Sequence, residues 1–151
     1  MRTEDRGQRT EDRGQRTEDR GQQMSGIIES YRELKVYKMA FELQQEIFEL
    51  SKSFPVEEKY SLTDQVRRSS RSVGANIAES WQKRRYTAHF CNKLTDSDGE
   101  NAETEHWIET AFACKYISDQ GRNRLLSLCE QIGRMLGTMI LHPEKFCKEA
   151  K

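Results

Sequence analysis

The chain has 151 residues, 33% of them charged and 34% apolar, and its 25 basic residues cancel its 25 acidic ones. That length supports one hydrophobic core and not two, so a single domain is expected. Zero net charge excludes a molecule-wide pull on nucleic acid or anionic lipid, and any such attraction has to come from a local patch. Cys91, Cys114, Cys129 and Cys147 are too far apart in sequence for a CxxC redox or zinc pair. With no apolar leader and no run of about 18 apolar residues, the expectation is a protein of the reducing cytoplasm that does not span a membrane.

Residues 1–26 open on RTEDRGQ repeated three times, Arg2–Gln22, followed by Gln23 and the alternative start Met24. The seven-residue period matches a heptad, but the repeat holds no apolar side chain to fill a coiled-coil seam. A disordered, charge-neutral tail is expected there. Residues 27–151 read as the folded domain. Tyr31, Leu34, Tyr37, Phe41, Leu43, Ile47, Phe48 and Leu50 recur at helical steps until Phe54-Pro55 stops them, which predicts a first amphipathic helix.

A second helix is predicted through Leu62, Val66, Val73, Ile77 and Trp81, with Ser61 as its N-cap and Asp64 completing a variant capping box. A third runs from Thr87 to Ser118 through Phe90, Leu94, Trp107, Ile108, Phe112, Tyr116 and Ile117, and Gly121 breaks the chain. The fourth carries Leu125, Leu128, Ile132, Met135, Leu136, Met139 and Ile140 as far as His142-Pro143. Long helices joined by short connections predict an all-α, antiparallel, up-down-up-down four-helix bundle.

The second helix carries the features that bear on function. Ser70, Gly74 and Ala78 form a smooth i, i+4, i+8 line beside its core face, suited to the close approach of another helix within the bundle or across a subunit boundary. Asn76 sits at the margin of the core face, where an amide needs partners. Between residues 61 and 86, Arg67, Arg68, Arg71, Lys83, Arg84 and Arg85 outweigh Asp64 and Glu79. Residues 96–109 hold Asp96, Asp98, Glu100, Glu103, Glu105 and Glu109 with no lysine or arginine. The two patches can pair within a chain or between subunits, or the basic one can stay free for phosphates, which arginine forks bind well.

Signals for catalysis are missing. His89, His106 and His142 have no HExxH spacing, and the Glu103–His106 pair is a single copy of a motif that a di-iron bundle needs on two helices. There is no phosphate-cradling glycine loop and no nucleophile elbow. No catalytic residue, metal site or cofactor is expected.

The stretches "YRELKVYKMA", "FPVEEKYSLTDQVRRSSRSVGANIAESWQKRRY", "KLTDSDGENAETEHWIETAFACKYIS" and "HPEKFC" together resemble the 23S rRNA-intervening-sequence proteins, whose relatives include the accessory variability proteins of diversity-generating retroelements. The matching motif positions are Gln65, Arg67, Arg68, Ser72, Asn76, Ile77, Ala78 and Glu79, then Glu103 and Thr104, while Ser80 stands where the family commonly has glycine. The resemblance implies a bacterial, cytoplasmic bundle assembled as a homopentamer. It also implies, from the retroelement relatives, a basic surface that binds RNA or DNA and a reverse transcriptase partner. The resulting expectation is a non-enzymatic oligomer that contacts phosphates through Arg67, Arg68, Arg71, Lys83, Arg84 and Arg85. The rival expectation is a structural scaffold that binds another protein and no nucleic acid.

Overall fold

The computed structural model describes residues 27–147. The tandem-repeat tail therefore lies outside the described residues. Four helices form the fold: α1 (Lys35–Ser51), α2 (Asp64–Gln82), α3 (Thr87–Ala113) and α4 (Asp119–Leu141). Among the described residues there is no strand, and no helix is long and apolar enough to cross a membrane.

Side-chain pairs fix the relative directions of the helices. Along α2 and α3, Ser69 meets Thr104, Val73 meets Ser97 and Glu79 meets Lys93, so one sequence number rises as the other falls. Asn101 with Cys129 and Glu109 with Arg122 give the same antiparallel sense to α3 and α4. Arg124 closes the ring by reaching back to Glu42 and Glu46 of α1. The up-down-up-down bundle expected from the apolar periodicity is the fold observed.

The apolar core runs down the centre through Leu43, Ile47, Val73, Ile77, Phe90, Leu94, Ile108, Ile132 and Leu136. Its middle is partly polar. The buried positions of α3 are Phe90, Leu94, Ser97, Asn101, Thr104, Ile108 and Ala111, alternating four- and three-residue steps, so three polar side chains occupy the centre of the buried stripe. Ser97 Oγ donates to the Val73 carbonyl at 2.8 Å, Thr104 Oγ1 lies 2.9 Å from Ser69 Oγ, and Asn101 Nδ2 donates to the Cys129 carbonyl at 2.8 Å. Small side chains make this possible, because Ser69 and Ser97 are wholly buried and let α2 and α3 approach closely.

Helix ends differ from the sequence expectation in identifiable ways. Tyr31–Glu33 forms a separate 3-10 turn with a Ser30 capping box, and Leu34 is extended, so α1 starts later than the first apolar residue. Phe41, expected on the core face, is 47% exposed and packs beside Tyr37, whereas Val36 and Ala40 point inward. Ser61 does not cap α2: a π turn over Lys59–Thr63 feeds directly into the helix, and no side chain caps its first turn. The wide turn keeps helical backbone continuous while Leu62 and Val66 both reach the core.

The third helix ends at Ala113, not Ser118. Lys115 adopts the left-handed conformation (φ 63°), with its N–H on the Phe112 carbonyl and the Tyr116 N–H on the Ala111 carbonyl, the two bonds of a Schellman motif. Gly121, expected to break the chain, lies in the first turn of α4, where its N–H donates to the Ser118 hydroxyl that caps the helix. At the far end His142 terminates α4 as expected, and Phe146 then stacks on Phe90 at 6.1 Å.

Gly74 settles where the smooth line of α2 packs. A Cβ built there would sit 3.7 Å from the Tyr37 ring and 3.9 Å from Ala40 Cβ, so the line faces α1 of the same chain at ordinary contact distance. Gly74→Ala is expected to stabilise the fold by up to about 1 kcal/mol through helix propensity. Gly74→Leu is expected to destabilise it by about 1–3 kcal/mol through overpacking. Chemical denaturation of the two variants checks the pair of opposite signs. Lys115→Gly, which relieves the left-handed strain, is expected to raise stability by about 1 kcal/mol, read as a higher denaturation midpoint at unchanged slope.

Candidate nucleic-acid interface

The expected cations divide three ways. Arg68 turns toward α3, where its guanidinium contacts Glu100 at 3.3 Å and also Glu103. The hydrogen bond to Glu100, with the charges of both carboxylates, raises the Arg68 pKa against the opposing effect of desolvation. This is the meeting of basic α2 and acidic α3 inside one chain. A second link joins Glu79 to Lys93 at 2.8 Å, and that hydrogen bond and charge lower the Glu79 pKa. Arg68 is thus engaged by carboxylates and is a poor candidate for holding phosphate.

Arg67 and Arg71 turn the other way, toward α1. Their guanidinium carbons lie 4.8 and 5.5 Å from the centre of the Phe48 ring, which Lys52 approaches to 4.8 Å. Arg67 Nε donates to Ser51 Oγ at 2.8 Å, holding its fork in place. Lys52 is partnered by Glu49 at 3.1 Å. Among the described residues no carboxylate pairs with Arg67 or Arg71, although Asp64 lines the same groove. Two like charges four residues apart on a helix repel by roughly 0.2–0.5 kcal/mol, and contact with an aromatic face offsets a comparable amount. A bound anion would relieve the remainder.

The third group sits in the α2–α3 turn. Arg71 and Lys83 are twelve residues apart, about 18 Å along the helix axis, so the turn forms a separate patch. Arg84 folds back, its Nε donating to the Trp81 carbonyl at 2.8 Å and its guanidinium 3.5 Å from the indole centre; burial lowers its pKa from the ordinary value. Lys83 and Arg85 are exposed and, among the described residues, form no ion pair.

The remaining expected positions serve packing. Ile77 is wholly buried, Gln65 and Ala78 are half-buried, and Asn76 donates to the Ser72 carbonyl at 2.9 Å. Ser72 itself bonds back to the Arg68 carbonyl, while Thr104 belongs to the polar centre of the core. Ser80 needs no glycine-like backbone, since it is helical, fully buried and donates to the Ile77 carbonyl at 2.6 Å. Sequence reasoning missed Phe48 as an anchor for cations; its spacing from Lys52 was legible, but its approach to Arg67 depends on the α1–α2 packing. It also missed Tyr86, exposed beside the second patch. Among the described residues no group of histidines, cysteines and acids could hold a metal ion.

The family model for the 23S rRNA-intervening sequence protein matches residues 32–138. The chain belongs to that family. A crystal structure from Bacteroides thetaiotaomicron, described as a protein of unknown function from the S23 ribosomal protein family, is 30% identical with a TM-score of 0.63, over 70% of this chain and 97% of that one. Among curated proteins none matches. The matched residues take in α1, α2, α3 and most of α4, with both cationic patches.

A different charge cluster makes an independent check on the electrostatics. Burial, followed by the charges of Asp98, Glu130 and Glu109, raises the Glu105 pKa. A carboxyl whose folded pKa is raised weakens the fold as pH climbs from its unfolded to its folded value, and the penalty then persists at neutral pH. Glu105→Gln is therefore expected to raise the melting temperature at neutral pH, with the gain shrinking to nothing once the pH falls below the ordinary carboxylate range. Melting curves across pH test this.

Proposed function

We propose that this family member is a non-enzymatic, self-associating bundle that binds RNA or DNA phosphates through the two cationic patches of α2 and the turn after it. The observation that carries this reading is the pair Arg67 and Arg71, gathered on Phe48 with no carboxylate partner among the described residues. The neighbouring Arg68 is neutralised by Glu100 and Glu103, so the fold spends its carboxylates selectively. Recognition would be electrostatic and largely independent of sequence, because backbone phosphates position a protein while base edges specify it. A ribosomal-RNA-insert or retroelement-like ribonucleoprotein is the setting that the family name and the resemblance suggest. The homopentamer implied by the resemblance would multiply the patches on one assembly.

A second reading is a protein scaffold. It is favoured by the shallow apolar groove between α1 and α4 lined by Leu34, Val36, Met135, Met139 and Phe146, a surface suited to another chain.

Fluorescence anisotropy of labelled RNA and duplex DNA, titrated with salt and accompanied by oligomer mass, separates the two. Binding by the wild-type chain is expected to fall with salt, and Arg67→Glu/Arg71→Glu to flatten the log–log slope by about 1.4–1.8, two phosphate contacts' worth, with helix content unchanged. Undetectable binding at low salt by an intact oligomer, or an unaltered slope in the double variant, would remove these arginines from the interface.

A further inference from the structure

The α2–α3 connection places four consecutive residues, Lys83, Arg84, Arg85 and Tyr86, in one tight reversal, closed by a Tyr86 N–H bond to the Lys83 carbonyl at 3.1 Å. Tyr86 is 58% exposed. Its ring lies 5.4 Å from the His89 ring and 5.9 Å from the Arg85 guanidinium. Leaving an aromatic side chain in water forgoes part of the stabilisation its burial would provide. The turn itself is held rigidly, because Arg84 is pinned to the Trp81 carbonyl and stacked on its indole. Glu79, which lies near Lys83, is occupied by Lys93. The result is an exposed aromatic face on a fixed turn, flanked by cations with no carboxylate partner among the described residues.

That combination fits one class of ligand. An unpaired nucleobase stacks on an aromatic face while its flanking phosphates meet Lys83 and Arg85, whereas a duplex keeps its bases stacked inside and offers the turn only phosphates. We infer that Tyr86 is a stacking platform that makes the α2–α3 turn a site for single-stranded nucleic acid. Arg85 and His89, both close to the ring, restrict the open face and orient the incoming base. This rests on the phosphate-binding reading and adds to it a preference: single strands over duplexes, located at this patch and not at the Arg67–Arg71 patch.

The test uses the full chain and two labelled probes, an oligouridine and a blunt-ended RNA duplex of the same length. Base–aromatic stacking is worth about 1–3 kcal/mol per base. Tyr86→Ala is therefore expected to weaken oligouridine binding by about 5- to 150-fold, converted at 1.4 kcal/mol per tenfold change, and to leave duplex binding essentially unchanged. Tyr86→Phe keeps the ring and is expected to keep the affinity, and Arg85→Glu is expected to weaken both probes. The exposed ring can be removed without disturbing the core, so circular dichroism and melting temperature should not move. Equal oligouridine affinity for wild type and Tyr86→Ala, with both probes still bound, overturns the stacking platform and leaves the phosphate reading standing. Failure of the folded wild-type chain to bind either probe at low salt overturns both.

Discussion

The bundle depends on a polar constraint at its centre. Ser97, Asn101 and Thr104 occupy three successive core positions of α3, and each bonds to a neighbouring helix: Val73 and Ser69 of α2, and Cys129 of α4. Apolar side chains at these positions would fill space but would allow helices to slide by a turn, since one Leu contact resembles another. A hydrogen bond formed in low dielectric cannot slide without leaving its donor unsatisfied, at a cost of about 1–3 kcal/mol. Asn101 Nδ2 fixes the register with α4 through the Cys129 carbonyl at 2.8 Å.

Register, in turn, determines which charges meet. With Ser69 opposite Thr104, Arg68 falls beside Glu100 and Glu103, and Glu79 beside Lys93. The same alignment leaves Arg67 and Arg71 on the opposite flank of α2, facing the aromatic ring of Phe48 and not the acids of α3. Neighbouring residues in the sequence thus take opposite roles through the helical period alone. Arg68 meets the acids of α3, and Arg67, one residue before it, lies against Phe48 of α1 with no carboxylate partner among the described residues. The functional reading follows from that division more than from net charge, which is zero.

Much of this was legible in the sequence, and the misses have physical causes. The apolar stripes of α1, α2 and α4 identify themselves because their buried positions are aliphatic, such as Leu43, Val73 and Ile132. The middle of α3 is harder, since Ser97, Asn101 and Thr104 carry the core period in polar side chains that a hydrophobicity pattern skips. The ends of helices also misled, most clearly between α3 and α4. Lys115 takes a left-handed turn that usually signals itself by glycine, and a glycine that does occur nearby, Gly121, is helical. Opposite charge on α2 and α3 was visible, but whether it paired within the chain needed the register. The exposed ring of Tyr86 gave no signal in a sequence where most aromatic residues are core or partly buried.

The central claim is that the arginines of α2 and its turn separate into neutralised and available ones. Arginine side-chain NMR signals, assigned by single Arg→Lys variants and followed as the blunt-ended RNA duplex is added, read that separation residue by residue. The account predicts that the Nε resonances of Arg67, Arg71 and Arg85 shift in step with occupancy, while those of Arg68, Arg122 and Arg124, held by carboxylates, stay in place. Shifts at Arg68 equal to those at Arg67, or no shift at any of the first three in a sample that binds the duplex, would contradict it.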